Sequence, residues 1–140
     1  VYRDPGLRPA ARPAQIGAEL MDFAEAQLSR IRWSRRDVAD FLGRYLSTPK
    51  PNVVFTGSSK RAFGLSRREA ILDSKTQMLY RGGRFFINGE ILVPRPAQRK
   101  VLAALADNRH VTGRALARAG LEPLILQWHR AGFLRLAASP

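Results

Sequence analysis

The stretch LYRGGRFFINGEILVPRP, Leu79 to Pro96, carries two turn signals, Gly82-Gly83 and Asn88-Gly89, each flanked by apolar residues. An Asn-Gly pair between apolar runs favours a type I′ hairpin, because both central residues of that turn need positive φ. The stretch therefore predicts an antiparallel meander with strands over 76–81, 84–87 and 90–93. Three strands this short bury too little to stand alone. The rest of the chain has to supply the surface they pack on.

Upstream, Pro5, Pro9 and Pro13 predict extended, non-helical chain over 1–13, and Pro13 suits the first turn of a following helix. Ile16, Leu20, Phe23, Ala24, Gln27, Leu28 and Ile31 recur at helical spacing and predict a helix over 14–31. Ser34 and Asp37 resemble a capping box, with Asp in place of Glu or Gln. Behind them Val38, Phe41, Leu42, Tyr45 and Leu46 form an i, i+3, i+4, i+7, i+8 stripe, which predicts a second helix over 35–47. The segment STPKPNVVFTGSSKRAFG, 47–64, reads as a long loop whose basic tip, Ser58-Ser59-Lys60-Arg61, is solvated. Ser66 and Glu69 make a fuller capping box and predict a short helix through Leu72.

After Pro96 the spacing of Val101, Leu102, Leu105 and Ala106 predicts a helix over 97–107. His110-Val111-Thr112 is a brief extended link, and Thr112 is placed to cap a helix over 113–119 that Gly120 ends. Glu122-Pro123 opens a further helix to Ala131, since acid and proline both suit a first turn. Gly132 stops it, and FLRL, 133–136, is a strand. This order is that of a winged helix, with a core expected from Leu102, Leu105, Leu116, Leu124, Trp128 and Phe133. No wing strand follows before Pro140, so the meander is expected to provide the sheet partner of 133–136. The fold class expected is α+β, mainly α: an N-terminal helical region over 1–47, a loop over 48–65, and a winged-helix-like domain with a small antiparallel sheet over 66–140.

A chain of 140 residues, 45% apolar, can build one ordinary core or two small ones. The absence of cysteine rules out disulfides and thiolate metal sites. No apolar run reaches the length of a membrane span, and no signal peptide opens the sequence, so a cytoplasmic protein with no membrane partner is expected. The opening VYRDPGLRPAARP reads as a connection entered midway, and the chain is expected to be a piece of a longer protein. The net charge is +13, with 20 Arg to 4 Lys. Base composition can explain Arg over Lys but not the shortage of acids, so a polyanionic partner fits the field this chain carries.

Enzyme signals are sparse. The two histidines, His110 and His129, stand far apart in sequence, and no H-x-D/E, H-E-x-x-H or G-x-S-x-G motif is present. Gly82-Gly83 between Arg81 and Arg84 is better read as a turn than as a phosphate cradle, because no helix start follows it in sequence. The second helix of the helix-turn-helix, EPLILQWHRA, places most of its bulk in the core and leaves Gln127, His129 and Arg130 as readers, with Glu122 repelling phosphate at its leading end. Sequence-specific DNA reading is therefore poorly supported.

Taken in order, YRDPGLRPAARPAQI, DVADFLGRYLS, RGGRFFINGE and HRAGFLRL resemble the C-terminal half of bacterial cupin-like (JmjC-type) ribosomal oxygenases, the ribosomal protein arginine hydroxylases, over essentially the whole chain. The resemblance implies a parent that uses iron(II) and 2-oxoglutarate to hydroxylate an arginine of a ribosomal protein, built as a cupin barrel, a helical dimerisation region and a winged helix. The family's H-x-D and distant His are not in this chain, so no catalytic, cofactor-binding or metal residue carries over.

Two functions are expected from different classes. In the first, the chain is the non-catalytic dimerisation and winged-helix part of such an oxygenase, a homodimer in which Ile16, Leu20, Phe23, Leu28, Phe41 and Tyr45 build the helical core and subunit contact, and which reaches the ribosome or a ribosomal protein through its parent. The competing possibility for that patch is that Val53, Val54 and Phe55 fold back and cap it within one chain. In the second, it is a freestanding basic nucleic-acid-binding winged helix, for instance a regulator, that uses Arg114, Arg118, Gln127 and Arg130; the charge by itself is expected to give only weak, salt-dependent binding to RNA and DNA with little sequence preference.

Overall fold

The computed structural model describes Gly6 and residues 15–58 and 64–138. The extended run expected over 1–13, apart from Gly6, and the basic tip beyond Ser58 lie outside the described residues. The chain divides into two units, Val1–Arg36 and Asp37–Pro140.

The first unit holds α1, Ala18–Ser29, shorter at both ends than the periodicity predicts. Gly17 stands at its N-cap in an extended conformation, and Glu19 in the first turn suits the positive end of the helix dipole. None of the residues of α1 is buried.

α2, Arg35–Ser47, matches its predicted span, and the second unit begins within its first turn, at Asp37. The meander follows as expected: β2, Met78–Arg81, pairs with β3, Arg84–Ile87, which pairs with β4, Glu90–Leu92. Both turns hold the positive φ that a type I′ turn demands, +56° and +78° at Gly82 and Gly83, +49° and +89° at Asn88 and Gly89.

The strand that precedes this meander corrects the sequence reading. Residues 66–72 do not form a helix: after a single 3-10 turn, Leu65–Arg67, they run as β1, Arg68–Leu72. The capping box of Ser66 and Glu69 is a local signal, and two long-range ladders outweigh it. β1 is the middle strand of a separate antiparallel sheet, paired on one side with β5, His110–Thr112, and on the other with β6, Leu134–Ala138. Ala70 and Leu72 alternate into the core. Glu69 stands among the outward positions, where its Oε1 lies 2.7 Å from His110 Nδ1. A second correction follows. The partner of the final strand is β1, and the meander forms its own sheet among the described residues.

The helices of the winged helix are α3, Pro96–Asn108, α4, Gly113–Arg118, and α5, Glu122–Ala131. Gln98 is buried and holds the start of α3 in place: its Oε1 accepts from the Arg95 amide at 3.1 Å, and its Nε2 donates to the Ala119 carbonyl at 3.3 Å. Thr112 does stand at the N-cap of α4, but its hydroxyl makes no capping bond. Gly120 and Gly132 end their helices at positive φ. Leu102, Leu105, Leu116 and Trp128 are buried, and Leu124 and Phe133 pack half-buried against them. Phe85 and Ile87 reach this core from one face of the meander, so the fold is α+β, mainly α, with a winged helix as its centre. Phe86, between them, points to the opposite face.

Candidate interaction surfaces

Phe86 is 1% exposed although it points away from the winged-helix core. Its cover is α2. A Cβ added to Gly43 would overlap the Phe86 ring, so the helix backbone rests directly on the aromatic face. One turn earlier Asp40 takes a forked pair of bonds from Arg84, 2.5 Å from Nε to Oδ1 and 2.7 Å from Nη2 to Oδ2. Half-buried, planar and charge-assisted, this pair fixes the rotation of the helix over the sheet. One turn later buried Ser47 accepts from the Gly89 amide at 3.0 Å, and Arg44 Nε donates to the Gly89 carbonyl at 3.2 Å.

The face of α2 that meets the protein is thus Asp40, Gly43, Arg44 and Ser47, small or polar throughout. Its apolar stripe faces the other way: Val38, Phe41, Leu42, Tyr45 and Leu46 are between 43% and 69% exposed. A surface helix of a monomer has the reverse arrangement. The Phe41 and Tyr45 rings stack on this outer face, with centroids 5.8 Å apart and planes 13° from parallel. In the first unit, Ile16, Leu20 and Leu28 are likewise exposed and Phe23 is half-buried. The spacing of Gly43 and Ser47 to Asp40 carried the signal for the inner face, but an apolar stripe hides it when only hydrophobicity is followed.

The loop after α2 takes a different course from the one weighed as a cap. Phe55 packs edge-on against Phe133, centroids 5.0 Å apart. Lys75 Nζ donates to the Val54 carbonyl at 2.7 Å and sits 5.6 Å from the Phe55 ring centroid. Phe55 is therefore engaged at the start of the final strand, and the apolar stripe of α2 stays open.

Arg114 and Arg118 on α4 and Gln127 and Arg130 on α5 are all exposed, as a nucleic-acid surface requires. Ile125 and Trp128 are buried in the core, and His129 Nδ1 lies 3.3 Å from the Leu134 carbonyl oxygen, which removes His129 from the set of free readers. Arg109, at the C-cap of α3, is occupied internally: its Nη2 donates to the carbonyls of Asp73 and Thr76 at 2.6 and 3.1 Å. The Tyr80 hydroxyl donates to Asp107 Oδ2 at 2.8 Å, and this bond, with the carboxylate's charge, raises the phenol above its ordinary pKa.

The two histidines are held on different elements, His110 beside Glu69 on the sheet and His129 on α5. Among the described residues no three of His, Asp and Glu gather as a metal-binding group, and no helix is long and apolar enough to cross a membrane. The donor set does not fit the iron that the resemblance implies for the parent.

Comparison with known proteins gives three findings. A family model described as ROXA-like winged helix matches residues 30–135. No curated protein matches the sequence. Among solved structures, the Escherichia coli ribosomal oxygenase YcfD in complex with cobalt and 2-oxoglutarate aligns with a TM-score of 0.67 at 18% identity, over 97% of this chain and 40% of that one. The same protein with cobalt and succinic acid aligns at 0.64 and 22% identity, with the same coverage. The chain thus spans 40% of the length of the structures it resembles, and at these identities the likeness speaks for the fold.

Proposed function

The chain belongs to the ROXA-like winged-helix family, and from that premise we propose that it is the non-catalytic dimerisation and winged-helix part of an iron(II)- and 2-oxoglutarate-dependent ribosomal protein hydroxylase. The division of labour follows the sequence: the helical region 1–47 associates two subunits, 48–65 connects, and 66–140 is the scaffold that presents the assembly to a ribosomal protein or the ribosome in the cytoplasm. YcfD, a ribosomal oxygenase solved with cobalt and 2-oxoglutarate, supports the parent's chemistry and substrate class.

The observation that carries the dimer is the inverted α2. Its apolar face is turned outward while the polar face is held by Arg84, Phe86 and Gly89, so the helix cannot roll to bury the stripe without breaking the forked ion pair. An exposed apolar patch on a folded domain marks an interface, and one self-complementary patch closes with two-fold symmetry. Light scattering behind gel filtration at micromolar concentration is expected to give twice the 15.7 kDa chain mass. A monomer peak throughout would remove the proposal.

By itself the chain is expected to be inert as an oxygenase. Such sites hold iron through two histidines and a carboxylate facing one point, and His110 and His129 are committed to other partners on separate elements. Incubated with iron(II), 2-oxoglutarate and ribosomal protein, it should convert no 2-oxoglutarate to succinate above the protein-free rate. Turnover proportional to chain concentration would show that catalytic residues have been missed.

A further inference from the structure

In sequence the Arg81-Gly82-Gly83-Arg84 turn has no helix start behind it, but the fold brings one to it. Gly83 lies against the Arg99 guanidinium from α3: a Cβ there would come within 2.7 Å of Arg99 Cζ, so the missing side chain is what lets the arginine close on the turn. Arg95 stands one helical turn before Arg99 at the N-cap of the same helix, anchored through its amide to Gln98, and Lys100 is the next residue. Arg81 and Arg84 face each other directly across β2 and β3. Like charges in that register repel. Asp40 relieves one of them by taking Arg84.

The segments 81–84 and 95–100 together hold five cations and no acid. With Arg84 neutralised, Arg81, Arg95, Arg99 and Lys100 remain, all exposed and, among the described residues, without an acidic partner. Asp107, on the last turn of α3, is engaged by Tyr80. Arg81 and Arg99 stand at the turn itself, while Arg95 and Lys100 lie on the adjoining first turns of α3 and Arg95 carries its guanidinium toward Gly120.

We propose that the 81–84 turn and the first turns of α3 form a contact for the phosphodiester backbone of a nucleic acid, separate from the α4–α5 surface. Guanidinium forks suit phosphate oxygens, and backbone contacts need no apolar anchor and read no sequence. The arrangement has cations on two elements set around a small, side-chain-free turn. That geometry admits a strand backbone close to the protein.

The test uses the whole chain and fluorescence anisotropy, with a mixed-sequence RNA hairpin and a DNA duplex, each at two salt concentrations. Arg81→Glu with Arg99→Glu should weaken binding to both probes by about tenfold or more and lower the slope of log K against log salt by roughly two, one for each phosphate that an arginine no longer neutralises. Arg118→Glu with Arg130→Glu should cost clearly less. The milder Arg81→Gln with Arg99→Gln, whose helix content and melting are checked alongside, should move in the same direction. A larger effect from the α4–α5 pair would overturn the assignment. So would polyglutamate competing as strongly as RNA, which would point to an acidic protein, and so would the absence of any binding at low salt.

Discussion

Phe41→Glu combined with Tyr45→Glu is expected to convert the dimer to a monomer, raising the dissociation constant by about a hundredfold or more, near 3 kcal/mol. The two rings are stacked on each other at the centre of the outward stripe and are over half exposed in the single chain. Aromatic pairs at the middle of an interface carry a large share of its energy, and a carboxylate placed there must be desolvated without a partner. The substitutions sit on the side of α2 opposite Arg84, Phe86 and Gly89, so the monomer should keep its circular dichroism. Scattering mass decides the matter: an unchanged dimer would show that the stripe is not the contact.

Gly43→Val, on the other side of the same helix, should have the opposite signature. Its side chain would begin inside the van der Waals envelope of a Phe86 ring that is locked between helix and sheet. Overpacking of this kind costs about 1–3 kcal/mol. For a unit of this size that lowers the melting midpoint by roughly 5–20 °C. Gly43→Ala tests the reasoning from a second direction, since alanine favours a helix interior by about 1 kcal/mol yet introduces the same Cβ, and the two effects should largely offset. A Gly43→Val protein that melts with its parent would mean α2 does not rest on the meander. Positions 41 and 43 are thus expected to separate association from stability within one turn.

What the sequence made legible was set by short-range physics. The Gly82-Gly83 and Asn88-Gly89 turns were readable because positive φ at two consecutive residues has few sequence solutions, and the three meander strands followed from them. Helices α2, α3 and α5 were readable from their period, α3 and α5 also from the prolines at their starts. β1 was not. Ser66 and Glu69 offered a plausible cap, and the forces that straighten Arg68–Leu72 come from His110–Thr112 and Leu134–Ala138, which no local window contains. The orientation of α2 was hidden for a related reason. A hydrophobic stripe predicts which residues seek burial, but whether they find it in their own chain depends on Asp40 meeting Arg84 across the fold. The basic cluster around Gly83 was invisible because Arg99 reaches the turn only through tertiary packing.

The placement of β1 also has a bearing on how this protein is made. It is the middle strand of its sheet, yet both of its neighbours are synthesised after it, one of them beyond the whole meander and all three helices that follow. During translation the hairpins can settle early because their partners lie close by in the chain, and short contacts close fast. Strand 68–72 meanwhile waits with both edges bare until 110–112 and then 134–138 leave the ribosome. Unpaired edges of this kind are what nascent chains stick by. A pause in translation within α4 or α5 would therefore prolong the period in which two neighbouring nascent chains can pair wrongly, at a strand that is paired on both sides in the finished molecule.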